Sequence, residues 1–536
     1  MTRRLAALIA VAAVWTAAQS GGTIKGRVVS SLHGEPVAGA TVTLRSLESG
    51  DQQTYIAQSG ADGRFSIAGI VPGTYTATPS KQGFEQRAST RAATAKDFPP
   101  IKVDAGSDQA IELRLIPDGI IAGRVVDPDG DPVRRAQVEL RQYRYAGGKK
   151  QLANVRTAST NDLGEYRLFH LAPGRYYVHA MPINNGNQQV LRLMQRGVIQ
   201  AEPQTSLAPA FYPGVPDPTH ASEIEVAPGV EVDGIDIRLT PERLYSIRGK
   251  ISADVPTERI NVRAENLSSD AGRRSGFPLN MQKGQYEISG LPPGRYLVIA
   301  QTFNNPQQPT EQQYAQENVD VNDRDVDHID LSLAPGKTVK GVVQRAEGGA
   351  LPPNLMVTLM PENGPMLANT SARVAADGTF KLDLPPGVYV MRMNGGQAYL
   401  KAVLAGSDVV PDRKIDTAHL SGDLTFIVAS DFGKVEGVVL DDSGKPVYNV
   451  YVLLVSQTLP IGSALPQAYT AYTKVSGKFS VDSLEPGDYK AFAWTGVEQG
   501  APIDPEFRKP FEDRAVPVKV ESNGRVTVEL KAIAGQ

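Results

Sequence analysis

The chain has no cysteine among its 536 residues, which excludes disulfide bonds, a cysteine nucleophile and thiolate metal sites. Histidine is almost as scarce, with six copies in the whole sequence. No two histidines stand at the spacing of a helical zinc motif, and no Gly-x-Ser-x-Gly elbow or phosphate-binding glycine loop is present. The sequence therefore predicts no catalytic residue, no bound metal and no cofactor.

Long apolar runs, helical periodicity and basic clusters are also nearly missing. One apolar run follows Arg3 and Arg4, extends from Leu5 to Trp15, and precedes the small residues Thr16-Ala17-Ala18. This order predicts a signal peptide over residues 1–20, with an uncleaved anchor as the alternative. We expect no membrane span in the mature chain. Because no basic stripe exists, nucleic acid is not an expected partner.

What the sequence does contain is a five-fold internal repeat. Each copy has a Pro-Gly turn followed by one residue and a tyrosine, and a second turn glycine with an aromatic residue lies upstream. A repeat at this period indicates an array of similar units. The five motifs are Pro72-Gly73-Thr74-Tyr75, Pro173-Gly174-Arg175-Tyr176, Pro293-Gly294-Arg295-Tyr296, Pro386-Gly387-Val388-Tyr389 and Pro486-Gly487-Asp488-Tyr489.

Apolar and polar residues alternate on both sides of each Pro-Gly turn, which predicts a β-hairpin with one buried face. About seven strands fit in each unit of roughly 95 residues, as expected for an antiparallel Greek-key sandwich. The predicted fold class is all-β, a tandem array of five β-sandwich domains joined by short linkers in a semi-rigid rod. The predicted domains are 21–117, 118–241, 242–336, 337–431 and 432–536.

The second unit carries about 23 more residues than the others, between 181 and 224. Long insertions in compact domains are often functional. This one contains a predicted short helix around Val190–Met194 and then the sequence Phe211-Tyr212-Pro213-Gly214. We predict a partner contact here, with Phe211 and Tyr212 as ligand-binding residues.

Carbohydrate binding is the most specific binding hypothesis, because sugar rings stack on exposed aromatic side chains. Strand alternation places Trp494 and Phe492 on the same outward face, which predicts an aromatic platform. The alternative is that the segment 495–511 folds back over them, because large exposed apolar patches are rare. Tyr143, Tyr145 and Tyr177 offer a similar but weaker case.

Two acidic clusters and one histidine pair resemble metal sites without completing one. The first acidic cluster surrounds Gly130, but Asp and Gly are also the residues that turns require. His170 and His179 flank one predicted hairpin, and we interpret both as structural. The acidic residues are Asp127, Asp129 and Asp131, and Asp323, Asp325, Asp327 and Asp330.

The units resemble carboxypeptidase regulatory-like domains. The first, second and fifth units match best, and the third and fourth match only in their later strands. The resemblance rests on Gly26-Arg27-Val28-Val29, the run from Gly34 to Val42, Asp62-Gly63-Arg64-Phe65 and the Pro72 motif. It implies a transthyretin-like sandwich, related to Cna protein B-type repeats and the carbohydrate-binding-like superfamily. It does not imply a protease, because no segment is left for a catalytic domain. Tandem arrays of this kind resemble secreted or cell-envelope proteins of environmental bacteria.

Three hypotheses for the function follow. The first is a non-catalytic exported structural or interaction protein, located in the periplasm, on the outer cell surface or outside the cell. The second is an array of carbohydrate-binding modules, and the third is an enzyme with an unrecognised site. Fold resemblance alone does not decide between them. The expected partner is a glycan or another envelope protein, and the oligomeric state is left open.

Overall fold

In the computed structural model, nearly all regular secondary structure of the described residues is β-strand, which confirms the all-β prediction. Contacts between Cα atoms divide the chain into two compact units, Met1–Gly119 with His170–Ala172, and Ile120–Phe169 with Pro173–Gln536. The predicted signal peptide and the predicted helix at 190–194 lie outside the described residues. The structure describes residues 21–48, 53–85, 98–182, 205–256, 259–267, 277, 279–302, 312–362, 370–395, 397–420, 422–457 and 468–535.

Repeat 1 forms two sheets that face each other across an apolar core. One sheet has the order β4-β1-β7 and the other β3-β2-β5-β6. Inward-facing residues such as Ile24, Val42 and Tyr75 are almost fully buried. The strands are β1 (Gly22–Ser30), β2 (Thr41–Ser46), β3 (Thr54–Gln58), β4 (Arg64–Ile70), β5 (Gly73–Ser80), β6 (Ile101–Val103) and β7 (Asp108–Leu115).

The opening strand of each repeat pairs antiparallel with the strand before the Pro-Gly turn and parallel with the closing strand, as β1 does with β4 and β7. The opening glycine makes this arrangement possible. A Cβ atom at Gly26 would stand 2.5 Å from the Phe65 ring and 2.6 Å from the Ile111 carbonyl oxygen. The aromatic residue after the first turn therefore packs over the opening glycine, and this contact explains why the two recur together.

The tyrosine of the Pro-Gly motif also has a structural role that its strand position did not reveal. Its side chain is buried, and its hydroxyl donates a hydrogen bond to the carbonyl four residues earlier. The bond measures 2.7 Å from Tyr75 to Val71 and 2.6 Å from Tyr489 to Glu485. A buried hydroxyl needs such a partner, so the motif closes its own turn.

Repeat 2 has the sheets β10-β9-β12-β14, with β15 also on β12, and β11-β8-β16, with β17 also on β8. A further pair joins β13 to β18. The strands are β8 (Gly119–Val126), β9 (Gln137–Ala146), β10 (Lys149–Ser159), β11 (Glu165–Leu171), β12 (Gly174–Met181), β13 (Thr205–Leu207), β14 (Ala210–Phe211), β15 (Ile224–Val226), β16 (Glu231–Val232), β17 (Ile237–Arg238) and β18 (Pro241–Arg243).

Repeat 3 repeats this plan around its own core, with sheets β21-β22-β19-β25 and β20-β23-β24-β26. Its closing strand is short and again parallel to the opening strand. The strands are β19 (Tyr245–Ser252), β20 (Ile260–Asn266), β21 (Leu279–Gln282), β22 (Gln285–Leu291), β23 (Gly294–Thr302), β24 (Gln313–Val321), β25 (Leu331–Ser332) and β26 (Ala334–Pro335).

Repeat 4 adds a hairpin to one of its two sheets. The sheets are β30-β27-β35-β32-β33 and β29-β28-β31-β34, and their core is separate from that of repeat 5. The strands are β27 (Lys337–Arg345), β28 (Met356–Pro361), β29 (Ser371–Arg373), β30 (Thr379–Leu384), β31 (Val388–Asn394), β32 (Tyr399–Ala405), β33 (Asp408–Val409), β34 (Lys414–Asp416) and β35 (Leu424–Ala429).

Repeat 5 has the sheets β39-β36-β42 and β38-β37-β40-β41, with β43 also on β40. It contains the α-helix α1 (Pro505–Arg508), between the 3-10 helices Ala501–Ile503 and Lys509–Arg514. The strands are β36 (Gly433–Leu440), β37 (Tyr451–Ser456), β38 (Ala468–Tyr472), β39 (Lys478–Leu484), β40 (Gly487–Thr495), β41 (Val516–Val520), β42 (Arg525–Lys531) and β43 (Ile533–Ala534). The predicted domain boundaries and the number of independent domains stay predictions.

Candidate functional site

The aromatic platform predicted at the end of β40 is not exposed. Trp494 has 0% and Phe492 1% of its surface accessible, and the two rings stack with centroids 5.0 Å apart. They do face away from the core of repeat 5, as strand alternation predicted. The residues that follow β40 cover this face, which was the alternative interpretation. The prediction of an exposed platform is therefore wrong.

The covering segment, which we call the cap (residues 496–515), owes its conformation to three prolines. Pro502, Pro505 and Pro510 cannot donate backbone hydrogen bonds to a sheet, so this stretch cannot continue as a strand. Asp504 instead caps α1 by accepting a hydrogen bond from the Glu506 backbone at 3.0 Å. The rings of Phe507 and Phe511 from the cap then pack against Trp494.

The cap of repeat 5 also contacts repeat 2, although about 350 residues of sequence lie between them. Tyr145, at the end of the long β9–β10 hairpin, packs edge-on against Phe507 with ring centroids 6.0 Å apart. Its backbone N–H donates to Glu498 Oε1 at 3.4 Å. Gly148 at the hairpin turn lies so near Ile503 that a Cβ atom would stand 3.0 Å from that side chain. Repeats 2 and 5 therefore contact each other, a point that the prediction of a semi-rigid rod had left open.

Phe211, which we predicted to bind a ligand, is also buried, with 4% of its surface accessible. Its ring stacks on His179 at a centroid distance of 4.2 Å. Tyr212 is half-buried, and its backbone N–H donates to the Val178 carbonyl at 2.9 Å. The Tyr212–Pro213 peptide bond is cis. Phe211 therefore packs inside the protein, and neither residue presents an open aromatic surface.

A buried ionic cluster lies beside Phe211, and the sequence analysis missed it. Strand register places Glu139 opposite His179, and His179 opposite Phe211, in one row across the sheet. The Arg141 guanidinium donates to Glu139 Oε2 at 2.6 and 3.0 Å, and His179 Nδ1 is 3.9 Å from the same oxygen. The sequence pattern gave His179 a structural interpretation and singled out neither Glu139 nor Arg141, so only the burial of this row distinguishes it.

The chemistry of this cluster is structural. Burial alone would raise the pKa of Glu139, but the interactions with His179 and Arg141 outweigh it and lower the pKa below its ordinary value. A carboxylate held ionised by a guanidinium is a weak proton acceptor. A buried pair of this kind adds little net stability, but removing one partner would leave an uncompensated charge.

The two histidines that flank the Pro-Gly hairpin of repeat 2 have different partners. His170 Nδ1 lies 2.9 Å from Asp118 Oδ2, whereas His179 belongs to the buried cluster. Each is engaged in a local structural interaction. Within the described part of the chain, no group of three or more His, Cys, Asp or Glu residues is arranged to hold a metal ion.

Both acidic clusters take part in turns and ion pairs. Asp127 accepts hydrogen bonds from the backbone N–H groups of Asp129 and Asp131, at 3.0 and 2.9 Å, which closes a tight turn. In repeat 3, Asp325 and Asp327 face the Arg248 guanidinium at 2.9 and 3.4 Å. Asp330 accepts from the Lys250 backbone at 2.8 Å. Through these contacts, the carboxylates fix the turn at Asp127 and the position of the opening strand of repeat 3.

One aromatic pair is partly exposed. Tyr143 on β9 has 39% of its surface accessible and meets Tyr177 on β12 edge to face, with centroids 5.5 Å apart. The Lys150 ammonium lies over the Tyr143 ring at 5.6 Å, and the Tyr177 hydroxyl donates to Glu223 at 3.3 Å. Among the predicted aromatic residues, this pair offers the most accessible surface.

The junction of repeats 4 and 5 contains a second partly buried ion pair. Arg413, which ends the connection before β34, lies 3.7 Å from Glu485 in the Pro-Gly turn of repeat 5. Burial raises the pKa of Glu485, and Arg413 opposes that rise only in part. At the end of repeat 4, the Tyr399 hydroxyl donates to Asp431 at 2.7 Å. The contact between Arg413 and Glu485 links the two repeats.

Comparison with known proteins identifies part of the chain. The family model of the carboxypeptidase regulatory-like domain matches residues 23–115 and 120–197. A search of the curated proteins found no match. None of the helices among the described residues is long and apolar enough to cross a bilayer.

The search of solved structures gives matches of low sequence identity and low TM-score. The Bacillus anthracis TIE protein is 14% identical, over 59% of this chain and 51% of that one, with a TM-score of 0.18. This chain therefore spans about half of the TIE protein. GBS52, the minor pilin of Streptococcus agalactiae, is 16% identical over 41% and 95%, with a TM-score of 0.23. A variant of BcpA, the major pilin subunit of Bacillus cereus, is 8% identical over 95% and 99%, with a TM-score of 0.16. By its matched residues, the chain contains two carboxypeptidase regulatory-like domains at the start of its all-β repeats.

Proposed function

We propose that the chain is a non-catalytic structural and interaction protein of the cell envelope, built from five sandwich domains. The observation that carries the proposal is the contact between the Tyr145 hairpin of repeat 2 and the cap of repeat 5. A surface loop of one repeat thereby stabilises a remote repeat.

The state of the titratable groups supports the same proposal. Catalysis usually needs a polar group with a perturbed pKa that also faces a cleft. The carboxylates with altered pKa described above are bound by a guanidinium, as Glu139 is by Arg141 and Glu485 by Arg413. Export to the periplasm or the outer surface rests on the signal-peptide pattern of residues 1–20.

The proposal is tested by expressing the full chain in a bacterium with an outer membrane and fractionating the cells. We expect a product that starts near residue 21 in the periplasmic or surface fraction, and no turnover of generic peptide, ester or glycoside substrates. An uncleaved chain in the cytoplasm would contradict the envelope location. Turnover that disappears when the protein is unfolded would contradict the non-catalytic role.

Glycan binding is the second candidate, and the half-exposed Tyr143–Tyr177 pair is the observation that favours it. Polar groups beside a ring fix the orientation of a bound sugar, and Lys150 and Glu223 stand in such positions. A glycan array of the full chain should then give signals that the Tyr143→Ala/Tyr177→Ala variant lacks. Tyr472→Ala, which changes another exposed tyrosine, is the matched control. An array without specific signals would remove this candidate.

A further inference from the structure

Among the described residues, no strand pairs with one long side of β42, the closing strand of repeat 5. It pairs in parallel with β36 and is the last strand of the sheet β39-β36-β42 among the described residues. The equivalent strand of repeat 4, β35, pairs on both sides, because β32 adds to it antiparallel. Repeat 4 thus shows that this position in the fold accepts an additional antiparallel strand.

The backbone of β42 is suited to receive such a strand. The Gly524 carbonyl accepts from Lys434 on the β36 side, and the Ala532 N–H donates to Leu440 on the same side. Backbone groups alternate along a strand, so those of Val526, Val528 and Leu530 also point toward β36. The N–H and C=O groups of Arg525, Thr527 and Glu529 then point to the open side. No proline or bulge interrupts β42, although these are common ways to block an edge.

The exposed side chains of β42 are complementary to a second copy of themselves. Arg525, Thr527, Glu529 and Lys531 are exposed on one face, while Val526 and Val528 are half-buried on the other. In an antiparallel pair of two β42 strands centred on Thr527, Arg525 of each strand stands opposite Glu529 of the other. Val526 stands opposite Val528. Opposite charges and apolar pairs in these positions stabilise a sheet, and like charges destabilise it.

We propose that β42 is a homodimerisation edge, at which two copies of this chain join their repeat-5 sheets into one continuous sheet through an antiparallel β42–β42 pair. The pairs Thr527–Thr527, Arg525–Glu529 and Glu529–Arg525 each exchange two backbone hydrogen bonds, because their backbone groups point to the open side. The inference names a partner for the proposed interaction function and rests on that function. A strictly monomeric chain would refute the dimer and leave the envelope location and the lack of catalysis untouched.

Charge reversal tests the register. Sedimentation equilibrium of the full chain should show a monomer–dimer equilibrium. Arg525→Glu or Glu529→Arg alone should weaken the dimer by about tenfold or more, because two attractions become two repulsions. The double variant Arg525→Glu/Glu529→Arg should regain dimerisation, and an equimolar mixture of the two single variants should form a heterodimer. A dimer that neither single substitution weakens must form through another surface and would overturn the proposal. A chain that stays monomeric at every concentration would also overturn it.

A cysteine introduced into this cysteine-free chain gives an independent readout. Thr527→Cys places two thiols opposite each other on the dimer axis, so oxidation should yield a disulfide-linked dimer. Ser480→Cys, an exposed position on β39 at the other edge of the same sheet, is the control and should stay monomeric. Equal crosslinking of the two variants would indicate random collision and would overturn the proposal that β42 is the dimerisation edge. Circular dichroism of each variant verifies that the sheets remain folded.

Discussion

Repeats 4 and 5 have the same arrangement of core strands, but the connection that follows the Pro-Gly hairpin folds differently in each. The connection after the Pro-Gly hairpin spans 395–413 in repeat 4 and 496–515 in repeat 5, which are nearly equal lengths. In repeat 4 it forms the β32–β33 hairpin and extends a sheet edge. In repeat 5 it forms the helical cap over the outer sheet face and leaves the edge of β42 open. The connection therefore decides which surface of a repeat is free.

The composition of the two connections explains the difference. Residues 399–405 bury Leu400 and Val403 on either side of a β-bulge and lead into a tight turn at Gly406-Ser407, and they pair as a strand. The cap contains three prolines and two phenylalanines, which favour short helical turns with apolar contacts. Leu400 and Val403 complete the core of repeat 4, whereas Phe507 and Phe511 cover Trp494.

The largest expected effect is on the cap. Phe492→Ala removes a fully buried ring beneath it and should destabilise repeat 5 by about 3–4 kcal/mol. Denaturant unfolding followed by Trp494 fluorescence measures this, in a Trp15→Phe background so that one tryptophan remains. Phe426→Ala in the core of repeat 4 is the matched control, and it should leave the Trp494 transition nearly in place. Equal shifts for both variants would show that the two repeats unfold as one.

The edge hairpin of repeat 4 should respond less strongly. Leu400→Ala creates a cavity under β32 and should cost about 2–3 kcal/mol. Hydrogen exchange should then accelerate in β35, whose residues 424–429 lose their outer partner strand.

In the unmodified protein, the peptide 525–531 should exchange part of its amides faster than the peptide 424–429. The reason is that, among the described residues, β42 has one partner strand and β35 has two. Equal protection of the amides of β35 and β42 from exchange, in dilute and monomeric protein, would contradict the difference in their number of partner strands.

The contact between repeats 2 and 5 should contribute about 1–2 kcal/mol to the free energy of unfolding of repeat 5. Tyr145→Ala tests this, because it removes one half-buried aromatic ring and its packing. The midpoint of the Trp494 transition should fall by the corresponding amount. Tyr143→Ala, on the same hairpin but in contact with Tyr177, is the control and should leave Trp494 unaffected. An unchanged midpoint in Tyr145→Ala would show that the cap is stable without repeat 2.

The smallest effect concerns pH at the junction of repeats 4 and 5. Burial raises the pKa of Glu485 above its ordinary value of 4.5, so the folded protein binds this proton more tightly than the unfolded chain. The stability that Glu485 contributes is complete below that value and is lost as the pH rises through the folded-state pKa. The free energy of unfolding of Glu485→Gln relative to that of the wild type should therefore increase as the pH rises above about 4.5. If the difference in free energy of unfolding between Glu485→Gln and the wild type does not depend on pH, the raised pKa of Glu485 is contradicted.

The fold was largely predictable because local patterns specify it. The Pro-Gly turn, the alternation beside it and the upstream glycine each report on two or three neighbouring residues. The parallel pairing of β1 with β7 was not predictable, because it joins strands more than eighty residues apart. The site predictions failed for a related reason. Alternation correctly placed Trp494 away from the core, but its exposure depends on what a later segment does.

By itself, the sequence determined the all-β class, the five-fold repeat and the face of each strand on which a side chain lies, because turns and alternation are short-range properties of the chain. Tertiary structure alone decided which outward faces are covered, that Tyr145 contacts the cap, and that Glu139, His179 and Phe211 meet in one buried row. These outcomes depend on contacts between segments far apart in sequence, and burial is a property of the neighbours that a residue acquires only when the chain has folded.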